Sequence, residues 1–105
     1  MAGFLTNLFK SKSDRGKITF RIKGSDGTYN LTYTAGEKQT LQNPAVKNKW
    51  KYSYKCKPGD YYYFSVQANQ RKSEINLKAY YNGKLLKETN DKGDYVIATV
   101  SGTIG

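Results

Sequence analysis

Lys17-Ile18-Thr19-Phe20-Arg21-Ile22-Lys23 alternates polar and apolar residues without a fault. Side chains of a β-strand point alternately to its two faces, so this period of two describes a strand with one buried face and one solvated face. The same period recurs along the chain. Thr28 to Thr34 sets Tyr29, Leu31 and Tyr33 on one side, and Asn48 to Cys56 sets Trp50, Tyr52, Tyr54 and Cys56 against Lys49, Lys51, Ser53 and Lys55. Tyr61 to Ala68 aligns Tyr62, Phe64, Val66 and Ala68, and Glu74 to Tyr81 aligns Ile75, Leu77, Ala79 and Tyr81. Lys84 to Thr89 and Asp94 to Ser101 complete the set, with Gln39 to Gln42 as a short edge strand.

The breaks between these runs are turn residues. Asp26-Gly27 and Asn82-Gly83 are hairpin signals, because both central positions of the favoured two-residue turn take positive φ. Gly36-Glu37-Lys38, Lys57-Pro58-Gly59-Asp60 and Asn90-Asp91-Lys92-Gly93 also read as turns, and Asn43-Pro44 ends the edge strand. A tight hairpin at Pro58-Gly59 would set Cys56 opposite Tyr61 and align the Trp50 face with Ser65 and Gln67 rather than with Phe64 and Val66. Either that loop is longer or the two strands lie in different sheets. Seven or eight short antiparallel strands at this spacing predict an all-β fold, a small immunoglobulin-like two-sheet sandwich. The expected inward set is Ile18, Phe20, Ile22, Leu31, Tyr33, Trp50, Tyr52, Phe64, Val66, Ile75, Leu77, Ile97 and Val100.

With 105 residues there is room for one domain, read here as a leader over 1–16 and a sandwich over 17–105. In the leader, Phe4, Leu5, Leu8 and Phe9 fall on one helical face and are followed at once by Lys10, Lys12, Arg15 and Lys17. Such a segment can dip into the interface of an anionic membrane, and the plainer readings are a frayed terminus or a short capping helix. A secretory signal places its charge before its apolar core, the reverse of this order, and no stretch approaches the ~20 apolar residues of a membrane span. The expected location is cytoplasmic or peripheral to the inner face of a membrane.

Composition narrows the chemistry. Lys and Arg number 18 against 8 Asp and Glu, giving a net charge of +10, and there is no His and a single Cys. Without His, the usual base for a Ser or Cys nucleophile and the commonest transition-metal ligand are both missing. One Cys forms neither an intrachain disulfide nor a zinc cluster. The acids fall mostly in turns and on polar strand faces, and no glycine-rich loop precedes a helix. The expectation is a protein that is not an enzyme, with no cofactor and no metal.

Two features remain as binding candidates. Lys49, Lys51, Lys55 and Lys57 stand on the solvated side of the Trp50 strand, where alternate residues are ~7 Å apart. They read either as a row that tracks phosphates or as a Lys-rich strand face that discourages edge-to-edge aggregation. Tyr61 and Tyr63 must face away from Tyr62, where they would stack on bases, sugars or a protein, or pack under a loop or Lys stems.

Several of these segments together resemble the soluble domain of the mycobacterial membrane protein small (MmpS) family. They are the opening strand with Phe20, Gly24, Leu31-Thr32-Tyr33-Thr34, Trp50 with Tyr52 and Tyr54, Phe64-Ser65-Val66-Gln67-Ala68, the hairpin through Asn82-Gly83, and Gly93-Asp94-Tyr95. The resemblance spans about residues 17–101 and implies an immunoglobulin-like sandwich that assists lipid export at the cell envelope. The chain departs from that family in having Pro44 six residues before Trp50, a single Cys56, and no N-terminal span, and no functional residue carries over. The leading expectation is thus a non-catalytic accessory or interaction module with a protein partner, held at a membrane surface. The rival is non-specific nucleic-acid or other polyanion binding, with the lysines on phosphates and Tyr61 or Tyr63 on unpaired bases.

Overall fold

The computed structural model describes residues 16–35 and 39–105, and the leader candidates Phe4, Leu5, Leu8 and Phe9 lie outside the described residues. Eight antiparallel strands are present: β1 (Gly16–Gly24), β2 (Tyr29–Thr34), β3 (Thr40–Val46), β4 (Lys49–Cys56), β5 (Tyr61–Ala68), β6 (Ser73–Tyr81), β7 (Lys84–Gly93) and β8 (Ile97–Thr103). They form two four-stranded sheets, ordered β4-β1-β6-β7 (sheet A) and β3-β2-β5-β8 (sheet B). The all-β sandwich expected from the alternation is therefore the observed fold. Among the described residues no helix is long and apolar enough to cross a membrane.

The core lies between the sheets and is built from the predicted faces. Ile18, Phe20 and Ile22 of β1 are fully or almost fully buried, as are Tyr29 and Leu31 of β2, Phe64 and Val66 of β5, and Ile75, Leu77 and Ala79 of β6. Phe20 sits at its centre. Its ring stacks on Phe64 at 4.9 Å across the inter-sheet space and meets Tyr54 edge-on at 6.0 Å. Offset and edge-on arrangements of this kind set a ring's positive edge against its neighbour's negative face. Beside them Tyr33 contacts Trp50 at 4.8 Å and Tyr52 at 5.0 Å. Trp50, Tyr52 and Tyr54 face inward as expected but are only half-buried, because β4 is the edge strand of sheet A. Tyr54 and Thr34 share a 2.6 Å hydrogen bond between hydroxyls that ties sheet A to sheet B.

Four sequence expectations are corrected. Asp26-Gly27 is not a hairpin turn: it carries the chain from β1 in sheet A to β2 in sheet B. Asn43-Pro44 does not end β3. The strand passes through a bulge where Ala45 takes φ 57° and its N–H donates to Asn30 Oδ1, so Pro44 sits on an edge strand at a register shift where its missing N–H is tolerated. Asn90 to Gly93 is not a turn, because the ladder with β6 continues to the Ser73–Gly93 pair and the change of sheet comes at residues 94–96. Ile97 is not in the core. Val100 pairs with Phe64 and Ala98 with Val66, and the period of two then turns Ile97 outward at 57% exposure. The link at Lys57 to Asp60 joins strands of different sheets, one of the two solutions that the face mismatch required.

Candidate polyanion-binding face

The outer face of sheet A follows from its register. β1 and β4 pair so that Lys17 stands opposite Lys55, Thr19 opposite Ser53, Arg21 opposite Lys51 and Lys23 opposite Lys49. Neither strand contains an acid. Three of the four outward rows thus set cation directly against cation, an arrangement that costs stability because cross-strand neighbours lie only ~5 Å apart at Cβ. The fourth row is polar: Thr19 Oγ1 and Ser53 Oγ share a 2.8 Å hydrogen bond, flanked by Lys17 and Lys55 on one side and by Arg21 and Lys51 on the other. Towards Lys23 and Lys49 the face dips into a depression of about 360 Å³ lined by Arg21, Ile22, Lys23, Lys49, Trp50 and Lys51.

Negative charge enters this face only on the far strands. Lys78 of β6 stands beside Arg21, and its Nζ lies 3.8 Å from Glu88 Oε2 on β7, which also accepts a 2.9 Å hydrogen bond from Asn76 Nδ2. Among the described residues this is the ion pair on the outer face of sheet A, so the β1–β4 half is left cationic and the β6–β7 half is mixed.

Of the lysines singled out from the sequence, Lys49, Lys51 and Lys55 belong to this face. Lys57 lies just past it in the β4–β5 turn, where its backbone N–H donates to Asp60 Oδ2 at 3.0 Å. Tyr61 and Tyr63 stand elsewhere. They project from β5 on the outer face of sheet B, Tyr61 exposed and Tyr63 half-buried, on the opposite side of the sandwich from the lysines. Cation row and tyrosines therefore do not form one surface. Arg21, Lys23 and Lys78 were not expected here, and Lys17 was expected only among the cations after the leader, although the alternation of β1 already turns Lys17, Arg21 and Lys23 outward. What it lacked was the pairing of β1 with β4.

Chemistry beyond charge is sparse. Cys56 is buried, and burial, with the Asp60 carboxylate nearby, pushes its thiol from an ordinary 9.0 up to about 11. A thiol so held is protonated at neutral pH and is a poor nucleophile. Among the described residues no three His, Cys, Asp or Glu side chains gather into a metal-binding group. No protein-family model matches the chain, and no curated protein is significantly similar to it.

Proposed function

We propose that this protein is a non-catalytic interaction module that docks on phosphate-bearing polyanions through the β1–β4 face of sheet A. The observation that carries the reading is the run of directly opposed cations Lys17–Lys55, Arg21–Lys51 and Lys23–Lys49 on two strands without an acid. A strand face kept soluble or protected against aggregation needs scattered charge. It does not need like charges facing each other, which repel in the free protein and are relieved when an anion bridges them. An anionic oxygen over the Thr19–Ser53 pair has one hydroxyl free to donate to it and four cations around it.

Lys outnumbers Arg on this face, which suits attraction to a field of phosphates more than bidentate reading of base edges. Because Tyr61 and Tyr63 face the other way, the combined phosphate-and-stacking mode for single strands has no common surface. Lipid headgroups and nucleic-acid backbones present the same phosphate chemistry, and the experiment separates them. The full chain is titrated with phosphatidylserine-containing vesicles, with phosphatidylcholine vesicles, and with labelled duplex and single-stranded oligonucleotides across a salt series. Binding to the anionic probes at low salt is expected, with log affinity falling linearly in log salt, by about 0.9 per phosphate for a duplex. The double variant Arg21→Glu/Lys51→Glu should bind at least about tenfold more weakly, at roughly 1 kcal/mol per basic residue near an anionic surface. Tyr63→Ala should bind as the parent does. A double variant with parental affinity, or no binding to any anionic probe at low salt, overturns the proposal.

A further inference from the structure

The two outer faces of the sandwich differ in kind. Every charged residue in the strands lies in sheet A, and not one residue of β2, β3, β5 or β8 is charged. The outer face of sheet B is instead made of hydroxyl, amide and large apolar groups, among them Thr32, Ser65 and Thr99 at its middle. Tyr61 stands at one end, 58% exposed, and Ile97 at the other, 57% exposed. In a chain with a net charge of +10, a whole solvated β-face without a single Lys is the exception. Protein–protein interfaces share two of these traits, a shortage of Lys, Glu and Asp and the presence of exposed Tyr.

We propose that the outer face of sheet B is the interface of a back-to-back homodimer. The occupant follows from the charge distribution. Two copies carrying +10 each repel, and approach through sheet A would set cation rows against cation rows. Approach through sheet B keeps those rows on opposite sides of the assembly and desolvates no charge. At the middle of this face Ser65 Oγ and Thr99 Oγ1 already share a 2.9 Å bond, so that pair forfeits less hydrogen bonding to water on contact.

The geometry is self-complementary. Gln67 pairs with Ile97, and Tyr61 stands six residues before Gln67 on the same face of β5, about 20 Å away. A two-fold axis crossing the strands midway between Tyr61 and Gln67, at the level of the Phe64–Val100 pair, lays Tyr61 of one copy over Gln67 and Ile97 of the other, and repeats the contact at the opposite end. Four strands at ~4.8 Å and seven residues at ~3.3 Å make a face of about 19 by 23 Å. With side-chain relief, such a face buries on the order of 600 Å² per partner. That meets the lower bound for a specific interface and suits micromolar dissociation.

The test is the mass of the full chain in solution, measured by sedimentation from about 1 to 100 μM, a range that spans micromolar dissociation. A rise from 11.9 kDa to twice that value is expected. Thr99→Lys and Ile97→Glu, both at exposed positions, should each shift dimer dissociation to at least about tenfold higher concentration. Asn90→Lys, which adds the same charge as Thr99→Lys on the outer face of sheet A, should leave the dimer intact. A chain that stays at 11.9 kDa throughout overturns the proposal, whether it remains alone or binds a neutral polysaccharide on this face. A dimer that survives Thr99→Lys and Ile97→Glu overturns it as well. The mass is read with no polyanion present, so failure of the dimer and failure of the polyanion reading are separate results.

Discussion

Phe20 and Cys56 show how one residue's surroundings set its behaviour. Phe20 is fully buried and touches aromatic rings of both sheets, Tyr54 on its own sheet and Phe64 and Tyr62 on the other. Phe20→Ala removes that bridge and leaves a cavity that stiff β-sheets close poorly. It should cost about 3–5 kcal/mol in urea unfolding. Cys56 makes a prediction of a different sort. Its thiol is held neutral up to about 11 in the folded chain, against 9.0 when unfolded. Below pH 9 that stabilisation is complete. Above it the unfolded chain loses its proton first, so stability declines as pH rises from 9 to 11. Burial shifts the hydroxyls of Tyr33, Tyr54 and Tyr62 in the same direction and adds to the alkaline loss. The unfolding midpoint should fall across that interval. At neutral pH the native thiol should react with an alkylating reagent at least about a hundredfold more slowly than the unfolded one, because two pKa units cut the thiolate fraction by that factor.

At the scale of the element, β4 combines both roles of the fold, with aromatic rings turned to the core and lysines turned to solvent. Its alignment with β1 places Lys51 opposite Arg21, and Lys51→Glu converts a repulsive pair into an attractive one. The variant should be more stable than the parent by about 0.2–1 kcal/mol and bind anionic probes less well. Thermal melts beside vesicle titrations check both halves. If the opposed cations were mere decoration, binding would not fall as stability rose. The β6–β7 hairpin depends on its turn. Asn82 at φ 52° and Gly83 at φ 82° match the twist of the strands, and Asn82 Oδ1 also accepts the Lys17 N–H at 2.9 Å. A Cβ at Gly83 meets open space, so Gly83→Ala adds backbone strain alone and should cost about 1 kcal/mol in a melt.

For the whole molecule, the decisive property is the partition of charge between two sheets. The folded chain concentrates cations on one side, whereas the unfolded chain spreads them out, so salt should stabilise the fold by screening the β1–β4 rows. The melting temperature should rise between low and physiological ionic strength, while affinity for a polyanion falls over the same range. A melting temperature indifferent to salt would mean that the rows do not repel measurably. In a back-to-back dimer the cationic faces point in opposite directions, and one assembly would contact two anionic segments.

The period of two fixed most of what the strands do. Ile18, Phe20 and Ile22 were legible as core, and Lys49, Lys51 and Lys55 as outward, because side-chain alternation is a local property of the backbone. Asn82-Gly83 was legible as a turn for the same reason, its positive φ values being a matter of two adjacent residues. The cationic face was legible only by half. Lys17, Arg21 and Lys23 alternate as plainly as the β4 lysines, but pairing partners some thirty residues apart are chosen by which apolar faces close over one core, and no local pattern encodes that choice. The same holds for Asp26-Gly27, whose turn chemistry is local but whose destination, the second sheet, is not. Ile97 lost its expected place to Ala98 because the register of β8 is set by Phe64 and Val66 across the ladder. The faces of the evenly alternating strands were thus determined by the sequence alone, and the face of β8 and the partners of each strand by the tertiary structure. That pairing put Lys49, Lys51 and Lys55 on one side of the molecule and Tyr61 and Tyr63 on the other.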